Sequence, residues 1–336
     1  MTLTLFTLGC LALLAYTFVV GFHDAPNATA IPIRTRSLTP TSALGTSALF
    51  NLLGLLLTAF LLSPLTNHWL RLPPSNTGLA MLLTALLTAI IWGVITWWFR
   101  IPSSSTHALM SGLAGSAWAA SLSGLGNYNP IDEPLATFIL IPLLLAPLLL
   151  FAFSWLAVIP FHHWLSRAYP ATVNRFSRII LSLANSLISL VHGIQTGQRA
   201  MVVFAMLFYT AGLSSSTISY SLAALLLGAA LALGTARGSS RIGYTFAHQM
   251  VHVDPFRGAI AHSSTALSLV LLQFFLNTPV SSSHLAASAV LGSGMTQRHE
   301  SVRHKIVLRI ILTWVLTLPA SFALAATLFL ALSPLL

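Results

Sequence analysis

Charge is what this 336-residue chain has least of: Asp, Glu, Lys and Arg together make up 6% of it, and the acids number only five. Soluble domains carry roughly 25% charged residues, so an ordinary water-facing composition is excluded. With 56% hydrophobic residues and a mean hydropathy of +0.86, most of the chain has lipid as its solvent. The fold class expected is therefore an all-α polytopic membrane protein. A single cysteine, Cys10, excludes an internal disulfide. The first apolar run lacks the basic n-region of a secretory signal and is expected to be retained as a first span. The Gly-x-Ser-x-Gly elbow of serine hydrolases is absent too. The formal charge of +10 is spread over short loops without a basic helix or an aromatic-rich polar sheet, which argues against a nucleic-acid partner.

Against that background one acid stands out. Asp24, in Gly21-Phe22-His23-Asp24-Ala25-Pro26-Asn27-Ala28, follows an unbroken apolar run from Leu8 to Val20. A carboxylate there costs a few kcal/mol even on mild insertion scales, so it marks a functional site by default. The flanking glycine and proline break a helix and free backbone groups able to meet an ion or a substrate.

Hydrophobic runs fall at about 3–20, 41–63, 78–98, 102–120 and 135–160, then 179–197, 200–234, 259–276, 279–295 and 306–334. The run from 200 to 234 is too long for one simple helix, and Gly212 with Ser214, Ser215 and Ser216 marks the expected break. If the chain starts outside and each run changes sides, twelve of the fifteen basic residues, from Arg34 to Arg309, share the cytoplasmic side. The loop with Asp132 and Glu133 is then external. Five crossings per half insert the second half upside down relative to the first.

Internal repetition points the same way. Pro102-Ser103-Ser104-Ser105-Thr106-His107 recurs as Pro279-Val280-Ser281-Ser282-Ser283-His284, and the match runs on without a gap through Ser111 and Ser288 to Gly115 and Gly292, at a constant offset of 177 residues. A weaker partner for the opening stretch is Val191-His192-Gly193-Ile194-Gln195-Thr196-Gly197-Gln198-Arg199, which sets Thr196 opposite Asp24 and Arg199 opposite Asn27. The expected architecture is two inverted-topology repeats, 1–165 and 179–336, joined by a basic cytoplasmic linker at 166–178. Each repeat would carry a broken helix and a Ser-rich re-entrant hairpin, as in transporters with a site between inverted halves.

These residues resemble the inorganic phosphate transporters of the PiT type. The first stretch is similar to the family's Gly-x-Asn/His-Asp-x-x-Asn signature in its bacterial His-Asp form. His192 to Gln198 resembles its His-Gly-x-Asn-Asp-Gly-Gln counterpart, and both serine motifs resemble its Pro-x-Ser-Thr/Ser-Thr-His hairpins. The resemblance implies a symporter importing inorganic phosphate into the cell across the bacterial inner membrane by alternating access, driven by a cation gradient, and no enzyme. It also exposes a departure: Gln195-Thr196 stands where the family has Asn-Asp, so the second-half acid is missing.

The residue chemistry agrees with an anion site. Hydroxyls and backbone N–H groups at broken helix ends satisfy a tetrahedral oxyanion, and the helix dipole adds to this. The expected substrate ligands are Asn27, Ser104, Ser105, Thr106, Gln195, Thr196, Gln198, Ser281, Ser282 and Ser283. Asp24 cannot face an ionised phosphate directly, because like charges repel strongly in a low dielectric. With His23 it is instead expected to carry the coupling ion, H+ or Na+; no cofactor and no resident metal is expected. His107 and His284 either gate the hairpins or fix their shape by bonding a hairpin carbonyl. Arg199 is read as a vestibule or snorkelling residue. His248, His252, Asp254 and His262 form a loose polar group with no counterpart in the first repeat. Partners left open are phosphate free or as a metal–phosphate complex, a second copy in a homodimer, and a cytoplasmic regulator on the basic loops. The competing functions are a sulfate or other oxyanion permease and, less well supported, an intramembrane Ser/His hydrolase.

Overall fold

The computed structural model describes residues 1–61, 72–128, 141–238, 240–275, 280–297 and 302–336. The loop with Asp132 and Glu133, and also Arg71, Pro279, Arg298 and His299, lie outside the described residues. Among the described residues every regular element is helical: α1 (Thr2–Asp24), α2 (Pro26–Arg34), α3 (Pro40–Leu61), α4 (Asn76–Trp98), α5 (Ser105–Leu122), α6 (Ile141–Leu165), α7 (Pro170–Thr210), α8 (Thr217–Arg237), α9 (Ser240–Tyr244), a π-helical turn Thr245–Gln249, α10 (Pro255–Phe274), α11 (Ser282–Gly294), α12 (His304–Leu332) and a terminal 3-10 turn. In hydrocarbon a spanning backbone must satisfy its own hydrogen bonds, and long continuous apolar runs do so within helices. Among the described residues seven helical stretches are long and apolar enough to cross a membrane, and the chain is a multi-pass membrane protein. Leucines, phenylalanines and isoleucines exposed along α1, α6, α7 and α12 give the bundle its lipid-facing surface.

Two expectations are corrected. The break expected at Asp24 is a proline interruption one residue wide: Ala25 keeps right-handed helical angles and its N–H still reaches the Gly21 carbonyl at 3.2 Å, while Pro26 has no N–H to offer. The second repeat has no break at its matching motif. Helix α7 runs 41 residues straight through Gly193 and Gly197, because nothing there removes a backbone donor and Arg199 is buried within the bundle instead of marking a span end. The same helix starts at Pro170, so most of the expected linker at 166–178 is helix. The break expected near Gly212 is present, between α7 and α8, with Ser216 capping α8.

Two apolar clusters form the core. Helix α1 contributes Leu5 to Val20 to one, and α2 contributes Ala28 to Ile31 to the other. Helix α7 runs the opposite way, giving Leu181 to Val191 to the second cluster and Ala200 to Leu207 to the first. The polar stretches 21–27 and 192–199 are the parts of these helices left between the two clusters.

Helix directions follow from contacts at both ends. Thr2 bonds Asn76 and His23 bonds Thr96, so α1 and α4 run parallel. Helix α5 returns against α4, with Gly112 against Ala85 and Ser116 reaching the Met81 carbonyl. The α4–α5 hairpin thus enters from the Thr2 end and begins α5 beside Asp24. Helix α10 starts at the other end, with Gly258 against Ile31 and His262 on the Ala28 carbonyl. Helix α11 then begins beside Asp24 and ends with Gly294 against Val251. The two hairpins approach one carboxylate from opposite ends.

Close helix approaches also come in reciprocal pairs. A Cβ at Gly21 would meet the Leu231 carbonyl of α8, and one at Gly193 would meet the Asn51 carbonyl of α3. In the duplicated hairpin helices, Gly115 lies on the Phe322 backbone of α12 and Gly292 on the Phe151 backbone of α6. Each half packs its motif helix against the other half, where only a residue without a side chain fits.

Candidate functional site

The serine motifs place their helix starts by a shared local device. Ser104 accepts a hydrogen bond from the His107 N–H at 3.2 Å, and Ser281 accepts one from the His284 N–H at 3.4 Å, so each caps its helix. Each cap uses an acceptor lone pair and leaves the hydroxyl hydrogen of Ser104 and of Ser281 able to donate. The residues that follow, Ser105, Ser282 and Ser283, are carried inward on the first turns of α5 and α11, where unpaired backbone N–H groups and the dipole favour negative charge.

Asp24 is the centre on which these turns converge. It is buried, and Oδ1 accepts from His23 Nδ1 at 2.9 Å and from Ser283 Oγ at 3.2 Å. Oδ2 accepts from Ser105 Oγ at 3.2 Å and lies 3.5 Å from His192 Nε2. Asn27 follows one turn later on α2 and donates to Ser282 Oγ at 3.2 Å and Ser283 Oγ at 2.9 Å. One stretch of the first half is thereby bonded to both hairpins, across 81 residues in one direction and 255 to 259 in the other.

The second-half motif lies beside it on α7. Arg199 is 7% exposed and donates through Nη2 to Thr196 Oγ1 at 3.1 Å, at the position where an acid was expected from the resemblance. Among the described residues no carboxylate lies within ion-pair reach of it, since the ion pairs found are His23–Asp24, His192–Asp24 and Arg257–Asp254. Arg199 Nε and Gln195 Nε2 are buried donors without a partner. Gln198 takes a different direction and accepts from Gln273 of α10 at 2.8 Å. Thr106 is buried on the first turn of α5.

His107 and His284 stack on each other with ring centroids 5.2 Å apart, and His284 stacks on Trp314 at 4.1 Å. Among the described residues His107 Nδ1 and both ring nitrogens of His284 are buried without hydrogen-bond partners, so none of these atoms bonds a hairpin carbonyl. Ring packing holds the equivalent histidines of the two motifs together. The loose polar group at 248–262 is dispersed. His262 bonds the Ala28 carbonyl, while Asp254 caps α10 and pairs with Arg257 at 2.6 Å. Partial burial, with Arg34 and His252 nearby, lowers the pKa of His248 on the π-helical turn.

Reading the sequence missed several members of this cluster. His192 lies in its motif with nothing in the sequence to assign it a role, and its partner Asn51 is a single amide within a long apolar run. Thr96, which bonds His23 Nε2 at 3.1 Å and Ser103 Oγ at 2.9 Å, looks like any hydroxyl of a spanning helix. Arg199 did carry a signal, since a lone arginine between apolar runs is costly unless it is used.

The chain resembles known proteins over most of its length. The model of the phosphate transporter family matches residues 20–325. The chain is 30% identical over 319 residues to a probable low-affinity inorganic phosphate transporter of Bacillus subtilis, covering 93% of this chain and 92% of that one. It is 30% identical over 322 residues to a protein of the same description from Rhizobium meliloti, with 95% and 93% covered. A solved structure described as the sodium-dependent phosphate transporter superposes with a TM-score of 0.78 over 99% of this chain and 100% of that one, at 18% identity, and shares its fold.

Proposed function

The chain belongs to the phosphate transporter family, and we propose that it imports inorganic phosphate by cation-coupled symport, with the oxyanion bound between the first turns of α5 and α11. Relatives in this family are transporters and not enzymes, and phosphate is the family's substrate. The observation that carries the reading is Arg199: a buried guanidinium without a carboxylate partner among the described residues, near the first turn of α5 and with an unpaired Gln195 amide nitrogen on the same helix, calls for an anion. A buried cation costs several kcal/mol unless it is compensated. A phosphate accepting from Arg199, Gln195 and the hydroxyls of Ser105, Ser282 and Ser283 supplies that compensation with charge-assisted bonds.

Asp24 carries the coupling ion. Moving one negative charge inward against 100 mV costs about 2.3 kcal/mol, so accumulation needs at least one cation per charge and more for uphill transport. The reciprocal glycine contacts and the two opposed hairpins support alternating access between inverted repeats, each half rocking against the other about the Asp24 layer.

Uptake of labelled phosphate into proteoliposomes under an imposed cation gradient tests the proposal, with sulfate, arsenate and molybdate as competitors. Competition by arsenate and not by sulfate is expected. Uptake of sulfate in preference to phosphate would replace this reading with that of another oxyanion permease.

A further inference from the structure

The hydrogen-bond directions around His192 can be followed atom by atom from α8 to Asp24. Thr235 spends its one hydroxyl hydrogen on the Leu231 carbonyl at 2.9 Å, so its oxygen accepts from Asn51 Nδ2 at 2.9 Å. Asn51 therefore turns its carbonyl oxygen to His192 Nδ1, 3.0 Å away, and Nδ1 must carry a hydrogen. A neutral His192 then presents a bare lone pair at Nε2 to Asp24 Oδ2, 3.5 Å away, with no other partner for that buried nitrogen. Two acceptors face each other across a gap longer than a hydrogen bond, in a buried site where repulsion is poorly screened. One added proton turns the repulsion into a bond. A cavity of about 10 Å³ lies against the pair, lined by Asp24, Asn51, His192, Ser47, Ser189 and Ser282, polar on several sides and large enough for one water. It lies on the side of the N-terminal ends of α3 and α7.

We propose that the Asp24–His192 pair is the proton-binding site of this transporter, and that its protonation releases Ser105 and Ser283 to the phosphate. This rests on the phosphate reading above. While Asp24 is an anion it holds both hydroxyls, one on each oxygen, in charge-assisted bonds. A proton shared by the pair weakens those bonds and turns the two donors, at the starts of α5 and α11, toward the substrate. The proton enters with phosphate from outside and leaves to the cytoplasm once phosphate has gone. The other titratable groups facing the pair are His23 and Tyr16 from α1, Arg199 from α7, and His107 and His284 from α5 and α11. Helices α3 and α8 add Asn51 and Thr235, which do not titrate. By linkage, phosphate and the proton strengthen each other's binding by the same factor, on the order of tenfold.

The test uses the full chain in sodium-free proteoliposomes, acidic outside, with labelled phosphate. Accumulation above equilibrium is expected, abolished by a protonophore and absent in both Asp24→Asn and His192→Gln. Asp24→Asn is isosteric and offers His192 Nε2 a permanent donor, so it mimics the protonated pair and keeps the packing. Phosphate binding in detergent, expressed as the ratio of wild type to Asp24→Asn at each pH, cancels the protonation of phosphate itself. That ratio should rise on the order of tenfold as pH falls. Accumulation driven only by a sodium gradient at equal pH, a flat binding ratio, or proton-driven accumulation in His192→Gln would each overturn the proton assignment and leave phosphate transport standing. No phosphate flux under any gradient would overturn the phosphate reading and this proposal with it.

Discussion

Replacing Arg199 by methionine should move stability and substrate affinity in opposite directions. Arg199 is 7% exposed, it donates to Thr196 Oγ1 at 3.1 Å and lies beside the Tyr16 hydroxyl, and its Nε has no partner among the described residues. Without substrate the guanidinium bears a desolvation cost that no carboxylate among the described residues offsets. Exchange of buried ionic groups for apolar ones of similar volume is neutral or stabilising by about 1–4 kcal/mol, so the substrate-free Arg199→Met protein should melt at or above the wild-type temperature. With substrate the sign reverses. Hydrogen bonds to charged groups contribute about 1.5–3 kcal/mol, and loss of one such contact weakens phosphate binding roughly tenfold to 150-fold at about 1.4 kcal/mol per decade. Arg199→Lys keeps the charge without the planar fork and should fall between the two. Melting curves with and without phosphate report both effects, since bound ligand raises the melting temperature by mass action. A variant that melts lower than wild type without phosphate and still binds it within about twofold would show that Arg199 is structural and that the anion binds elsewhere.

The duplicated serines should separate by role. Ser281→Ala removes a cap together with one hydroxyl donor and should cost about 1 kcal/mol of stability with a smaller loss of uptake than Ser283→Ala, which removes a hydroxyl that contacts both Asp24 and Asn27 and should lower uptake at least tenfold in the same liposome assay. Asn27→Ala takes the amide from Ser282 and Ser283 together, and its effect on phosphate binding should exceed that of either serine. Gly115→Val and Gly292→Val should each lower the melting temperature or prevent folding, because the added atoms meet the Phe322 and Phe151 backbones; overpacking costs about 1–3 kcal/mol or more. Wild-type melting of both valine variants would refute the reciprocal packing described for the two halves.

Some of this architecture is fixed by local chemistry that a sequence carries on its face. A charged fraction of 6% leaves lipid as the solvent and the helix as the spanning element. An acid after thirteen apolar residues marks a site, and a hexamer repeated at an offset of 177 marks a duplication with matched caps at Ser104 and Ser281. Those inferences need only composition, periodicity and spacing. Continuity of a helix through glycine does not follow from them, because packing overrides propensity: Gly193 and Gly197 read as weak points and are instead the places where α3 presses against an unbroken α7. Direction of hydrogen bonding is also beyond spacing. His192, Asn51 and Thr235 come from three helices, and only their assembly orients one imidazole toward Asp24. Arg199 shows the same division in a single residue. Its presence between apolar runs was visible in the sequence, but its meaning depended on finding which acids lie near it, and a distance between side chains is a property of the folded chain alone.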